Sequence, residues 1–170
     1  MKYTQGKILL NEEIQDGIYK MVVKDKNEAK AGQFYMLKLN GATLLPRPIS
    51  VCETSGETLT FVYAVVGTGT KEFSSLKIGD SINLNGPLGN GFNVTDDLGK
   101  VALVSGGIGI APMLEVAKKL RENRKDIKMD LYSGFRDDIY LIDEIKEYVD
   151  NTYVSTNNGA HGHKGFVTEI

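Results

Sequence analysis

The spacing of apolar residues changes character near Gly99, and a chain with two such periods has to build two different kinds of layer. Upstream, short strand-like runs follow one another: KILLNEEI (7–14), GIYKMVVKD (17–25), QFYMLKLN (33–40), PISVCE (48–53), TLTFVYAVV (58–66) and DSINLNG (80–86). Gly17, Gly32, Gly41, Gly56, Gly67, Gly79 and Gly86 punctuate them at intervals that suit an antiparallel barrel. Downstream, VALVS (101–105) is a continuous apolar strand. APMLEVAKKLREN (111–123) is helical, with Met113, Ala117 and Leu120 on one face and Pro112 acceptable in the first turn. MDLYSGF (129–135), LIDEIKEYV (141–149) and TYVST (152–156) continue the alternation as strand, helix and strand. The expected fold class is therefore a β-barrel plus α/β: a small antiparallel barrel over residues 1–98, then a partial doubly wound lobe over 99–170. GHKGFVTEI (162–170) reads as the opening of a third helix, with no fourth strand.

Composition excludes several classes of function. The 170 residues carry 20 basic and 22 acidic side chains, a formal charge of −2, so nothing marks a nucleic-acid-binding surface. MKYTQGKILLNEE lacks the apolar centre of a signal peptide, and no stretch approaches the roughly 20 apolar residues of a membrane span. The expected location is cytoplasmic. A single cysteine, Cys52, rules out an internal disulfide and any metal or cluster site that needs two protein thiolates. His161-Gly162-His163 lacks a third nearby ligand and reads as a turn, so no metal residue is assigned. Ser105 sits in V-S-G-G rather than G-x-S-x-G and is not a hydrolase nucleophile.

Four segments carry candidate chemistry. Ser105 to Pro112 (SGGIGIAP) joins a strand to a helix, where backbone N–H groups and the positive end of a helix dipole meet a pyrophosphate. Pro112 stands where the third glycine of G-x-G-x-x-G would be, and a tight turn without ligand is the plainer alternative. Phe135, Arg136, Asp137 and Asp138 close the following strand, where such folds select a ribose or its 2′-phosphate. An acid favours NAD and an arginine favours NADP, so the choice stays open beside that of solvated loop charges. Arg47-Pro48-Ile49-Ser50 offers a guanidinium able to grip phosphate in bidentate fashion, or else a surface arginine. Tyr63-Ala64-Val65-Val66 leads into Gly67-Thr68-Gly69-Thr70, a glycine-rich bend able to cradle a diphosphate or simply to turn a hairpin.

Taken in order, R-P-I-S, Y-x-V-V-G-x-G-T, G-D-x-I-x-L-x-G-P-L-G-N-G-F and S-G-G-I-G-I-A-P resemble the ferredoxin reductase superfamily. More closely, they resemble the electron-transfer subunits of dihydroorotate dehydrogenase B, across essentially all 170 residues. The resemblance implies an FAD-binding barrel (1–98) and an NAD-binding α/β domain (99–170). Electrons would pass between NAD(H) and FAD, then through a [2Fe-2S] cluster to an FMN-containing catalytic partner subunit in pyrimidine biosynthesis. It also implies that Arg47, Pro48, Ile49 and Ser50 contact FAD, with Arg47 on phosphate and Ser50 near the isoalloxazine ring. Tyr63, Ala64 and Val65 would lie against the riboflavin part, Gly69 and Thr70 would hold the diphosphate, and Gly106, Gly107 and Gly109 would approach the nicotinamide nucleotide. Hydride transfer from nicotinamide to flavin requires positioning rather than an acid or base, so no catalytic residue is assigned.

The family continues with a further strand carrying Cys-Gly and a cysteine-rich cluster segment, and this sequence has neither. The expectation is a truncated form whose NAD-binding domain is incomplete, with an open edge in its parallel sheet. Two alternatives remain at this point: a sibling subunit of a transhydrogenase or sulfide dehydrogenase, and a non-enzymatic interaction module.

Overall fold

The computed structural model describes residues 2–26, 28–39, 45–96 and 99–170, and their contacts gather into two units, Met1–Phe92 and Asn93–Ile170. Asn40, expected to end the third strand, and residues 97–98, at the expected domain boundary, lie outside the described residues.

In the first unit, β1 (Thr4–Gln15), β2 (Ile18–Lys24), β3 (Phe34–Lys38), β4 (Arg47–Thr54), β5 (Thr58–Ala64) and β6 (Ser81–Leu88) close an antiparallel barrel in the order β1-β2-β5-β4-β3-β6. Alternation along each strand sends one set of side chains inward. Met21 faces Phe61, Val23 faces Leu59 and Tyr19 faces Tyr63 across β2 and β5. Met21, Val23, Leu59, Phe61 and Tyr63 join Ile8, Tyr35, Leu37, Val51, Ile82 and Leu84 in one buried cluster, with Tyr19 packed against it. Each large side chain removed from water there stabilises the barrel by about 1.5–3 kcal/mol. β1 serves two neighbours: residues 4–7 pair with β6 and residues 7–15 with β2, with register shifts at Ile8/Leu10 and Glu13/Gln15. Such bulges bend a strand as a small barrel requires. Gly86 has no side chain because the Tyr35 ring lies where its Cβ would be. Burial, with the nearby Asp25 charge, pushes the Tyr35 phenol up to about 12.

The bend expected at Gly67 to Thr70 proves to begin a helix, α1 (Thr68–Ser74). The Thr70 hydroxyl draws the entry tight: it accepts from the N–H of Val66 (3.0 Å) and donates to the Gly67 carbonyl (3.1 Å). Phe73 of α1 is fully buried in the barrel core, edge-on to Tyr63. Asn11 holds the helix's far end, its Nδ2 donating to the carbonyls of Phe73 (2.9 Å) and Leu76 (3.0 Å).

The second unit holds a parallel sheet in the order β10-β9-β8-β7, from β7 (Lys100–Gly106), β8 (Lys128–Phe135), β9 (Asn151–Thr156) and β10 (His163–Lys164). A 3-10 turn (Gly107–Ile110) leads into α2 (Ala111–Asn123), with Pro112 in its first turn, and α2 packs on β7 and on α3 (Ile142–Ile145). One sheet face buries Leu103, Met129 and Leu131, while the other leaves Val104 58% and Tyr153 40% exposed. On that open face Tyr132 and Tyr153 stack at 4.8 Å.

Two expectations are corrected here. The helix expected over 141–149 shrinks to Ile142–Ile145. Leu141 enters it in the left-handed conformation (φ 61°), and the Tyr148 N–H bonds to the Ile145 carbonyl (2.9 Å), a tighter turn that closes the helix. The third helix expected at 162–170 is replaced by a fourth strand, β10, paired with Ser155 and Thr156, and then by a 3-10 turn (Val167–Glu169). Gly162 (φ 65°) and Gly165 (φ 133°) break any helix there, and the Gly165 N–H is taken by the Thr156 carbonyl (3.1 Å).

Asp150 ties these elements together. Its Oδ2 accepts from the Met129 N–H (2.8 Å) and from Arg121 Nη2 (3.2 Å), and Lys128 Nζ lies 3.9 Å from Oδ1. The Met129 N–H first, then Arg121 and Lys128, hold its carboxyl below the usual carboxylate range. A depressed folded-state pKa contributes stability above the unfolded value and loses it as pH falls through the folded one. Asp150→Asn should therefore lower the urea midpoint at neutral pH, with the gap to the parent closing below about pH 4. Gly162→Ala should destabilise the second unit by at least about 1–2 kcal/mol in the same assay, since its positive φ penalises any Cβ and the Cβ would also strike the Val154 carbonyl.

Candidate functional site

Each unit presents its own candidate site. In the barrel, Arg47 opens β4 and its Nη1 donates to the Leu45 carbonyl (2.6 Å). The guanidinium lies flat over Gly69 in the first turn of α1: a Cβ on Gly69 would sit 2.6 Å from Nε and 2.8 Å from Cζ. Gly69 is thus the residue that leaves room for Arg47. The N–H groups of Thr68, Gly69 and Thr70 belong to the helix's first turn, where no intrahelical acceptor exists. A fixed cation beside such donors is suited to phosphate oxygens.

The neighbouring candidates divide by accessibility. Pro48 is exposed, while Ile49 and Ser50 are half-buried, with Ile49 packed on the barrel core. Ala64 and Val65 are half-buried, and Val66, next along the chain, is 86% exposed. Tyr63 differs from its expected place against a ligand: its ring is 1% exposed inside the barrel, stacked on Tyr19 and edge-on to Phe73. Its hydroxyl donates to Asn11 Oδ1 (3.1 Å), and burial pushes its pKa upward. The Thr70 hydroxyl is likewise engaged by the backbone of Val66 and Gly67, leaving its N–H rather than its side chain for a ligand.

In the second unit, the glycine turn stands at the C-terminal end of β7. Gly106 and Gly109 have open space where side chains would be, and Gly107 takes a positive φ of 51°. A Cβ on Gly107 would approach the hydroxyl of Tyr140, which is held edge-on to Phe135 and whose pKa burial raises. Gly106 and Gly107 border a cleft of about 470 Å³ that runs along the strand ends past Gly134, Arg136, Ser155 and Asn157 to the turn at 165–168. Gly109 is outside its lining. Sequence reasoning identified the glycine turn and Arg136 but missed Ser155, Asn157 and Phe166. The available signal was the small residue at or just before the end of each strand, Gly106, Gly134 and Ser155.

Arg136 of the cleft lining and the loops around it carry polar pairs. Arg136 Nε lies 3.6 Å from Asp137 Oδ2, and Asn158 Nδ2 donates to Asp137 Oδ1 (3.3 Å). His161 approaches Asp138 (3.9 Å) and His163 approaches Glu169 (3.3 Å). Among the described residues, no three His, Cys, Asp or Glu side chains form a metal-holding group, and no helix is long and apolar enough to cross a membrane. Cys52, the sole cysteine, is buried in β4.

Residues 103–169 match the oxidoreductase NAD-binding domain. Over 170 residues the chain is 61% identical to the dihydroorotate dehydrogenase B (NAD(+)) electron transfer subunit of Clostridium perfringens, covering all of this chain and 69% of that protein. It is 46% identical to the subunit of the same name from Clostridium acetobutylicum, over 99% of this chain and 67% of that one. Among solved structures, an NADH-dependent reduced ferredoxin-NADP oxidoreductase superposes with a TM-score of 0.85 at 31% identity, over 96% of this chain and 60% of that one. With a closed barrel in one unit, a parallel sheet in the other and this identity along its whole length, the chain belongs to the family of dihydroorotate dehydrogenase B electron transfer subunits.

Proposed function

We propose that this chain is an oxidoreductase subunit, a flavoprotein that passes electrons between NAD(H) and, through FAD, the FMN-containing catalytic subunit of a cytoplasmic dihydroorotate dehydrogenase. The observation that carries the reading, within this family, is the seating of Arg47 over Gly69 beside the free N–H groups of α1. That arrangement answers a diphosphate flanked by an apolar strand end. When bound, FAD supplies the chemistry that links two-electron to one-electron transfer. The protein's residues bind and orient. Arg47 grips a phosphate, the N–H groups of Gly69 and Thr70 complete the grip, and Pro48, Ile49, Ser50, Ala64 and Val65 form the wall along which the flavin lies. In this reading Tyr63 holds that wall from behind through the barrel core.

Residues 1–98 form the FAD-binding domain and residues 99–170 the NAD-binding domain in the same proposal. Gly106, Gly107 and Gly109 receive the dinucleotide at the end of β7, where open space lets its backbone approach closely. Asp137 and Asp138, at the end of β8, favour a ribose without a 2′-phosphate. An iron–sulfur cluster does not fit these residues: Cys52 is the only thiol and is buried in the barrel. Cluster ligands would have to come from outside these 170 residues.

The first test is a visible absorption spectrum of the purified chain, with the released chromophore identified by mass. Bound FAD without iron–sulfur absorbance supports the reading, and a colourless protein that fails to take up added FAD overturns it. Arg47→Ala should weaken FAD binding about 10- to 100-fold, the range for losing a hydrogen bond to a charged group. Gly69→Ala should weaken it in the same direction by displacing the guanidinium, with circular dichroism unchanged because Gly69 does not occupy positive φ. Equal FAD affinity in both variants and the parent would remove Arg47 from the site.

A further inference from the structure

The ladder between β1 and β2 pairs charges in two opposite ways. Near the hairpin Glu12 lies across from Lys20, a complementary pair, but towards the open end Lys7 lies directly across from Lys24. Both lysines are exposed. Side chains directly opposite on antiparallel strands stand about 4.5–5.5 Å apart at Cβ, so like charges there repel. The other flanks give no relief, since Lys7 faces Ser81 on β6 and Lys24 faces Thr58 on β5. Lys26, just beyond the end of β2, is exposed as well. Among the described residues none of these three ammoniums has an ion-pair or hydrogen-bond partner. Lysines of the second unit do: Lys119 meets Glu122 at 2.7 Å, and Lys128 lies 3.9 Å from Asp150.

The three lysines share a recess. Lys7, Lys24 and Lys26 line a hollow of about 460 Å³ together with Thr4, Gln5 and Asp25. Asp25 Oδ2 accepts from the Thr4 hydroxyl at 3.3 Å, so one carboxylate, already engaged, stands against three ammoniums. That local excess runs against the chain as a whole, whose formal charge is −2. A recess of this size is on the scale of small-molecule sites, and a lysine acts on phosphate as a compact point charge on a flexible stem. A ligand with negative charges on adjacent groups neutralises two facing ammoniums at once, which a single halide ion does not. The recess is also separate from the Arg47 site. Arg47 opens β4, whereas Lys24 stands by Thr58, beyond the other end of that strand, where Thr54 pairs with Leu59. β4 has 8 residues, so the two places lie roughly 20–25 Å apart along it. From the facing lysines and the recess they line, we infer that the barrel wall carries a polyanion site for a small molecule with adjacent phosphate groups. The inference depends on neither the FAD nor the NAD reading.

The test is calorimetric titration of the purified chain with inorganic pyrophosphate at fixed ionic strength, with FAD and NADH present to occupy the other candidate phosphate sites. Lys7→Gln, Lys24→Gln and the double variant are titrated alongside. Each single variant should bind pyrophosphate about 5-fold more weakly, the upper range for one exposed ion pair, and the double variant should give no titration. In the parent, pyrophosphate should raise the thermal midpoint further than sodium chloride does at equal ionic strength, because a ligand that binds only the folded state adds to general screening. That comparison needs no variant. A parent that binds no pyrophosphate, a double variant that binds it as well as the parent, or a midpoint that chloride raises as far would overturn the proposal. These outcomes are read on the lysines, so they decide the matter whether or not either dinucleotide binds.

Discussion

The side-chain amide of Asn11 joins three elements at one point. Its Oδ1 receives the Tyr63 hydroxyl of β5, and its Nδ2 supports the carbonyls that end α1. The barrel wall and the helix are thereby fixed to one point on β1. Fixing α1 fixes Gly69, and Gly69 sets the plane on which the Arg47 guanidinium rests. The candidate phosphate grip is assembled from residues that touch no ligand, with the core aromatics Tyr19, Tyr63 and Phe73 supplying stiffness. Burying the Tyr63 hydroxyl without Asn11 would leave an unsatisfied donor, so the amide and the phenol are required together.

The second unit is organised by backbone exposure instead of by side-chain grip. Gly106, Gly134 and Ser155 form one rung near the C-terminal ends of the parallel strands, and the chain returns past them in the tight turn at 165–168. Gly106 leaves open space where a side chain would be, while Gly134 makes room for Val167 and Ser155. Asp150 secures the opposite ends of β8 and β9 through Met129 and Arg121, so the cleft is set by a sheet pinned at its far edge.

Local pattern carried much of this fold. The alternation in IYKMVVK and TLTFVYA marked inward faces that the barrel uses, and the switch to a run of apolar residues at VALVS marked the parallel sheet. Elements decided by distant partners were illegible. α1 is seven residues with three hydroxyls and a glycine, a weak helix signal that Asn11, more than fifty residues away, makes good. The stripe Ile142, Ile145, Val149 is a fair helical pattern, but Leu141 enters it in the left-handed conformation and the Tyr148 N–H turns back to the Ile145 carbonyl, so the helix stops after one turn. For the site, Arg47 and Gly69 could each be singled out from their neighbours in sequence, whereas their stacking is a tertiary fact. The facing of Lys7 and Lys24 is equally invisible in sequence, since only the register of β1 on β2 brings them together.

The barrel's closure has a bearing on how the chain is made. β1 needs both β2, which follows at once, and β6, whose Leu84 pairs with Thr4. The contact that seals the first unit is therefore among the most distant in it, and a nascent chain must wait for its last strand. Once residues up to Phe92 have emerged from the ribosome, every strand of that unit is in hand. The first unit can then complete its core while the second is still being synthesised, so the exposed apolar strands of an unclosed barrel are a hazard confined to the early part of translation.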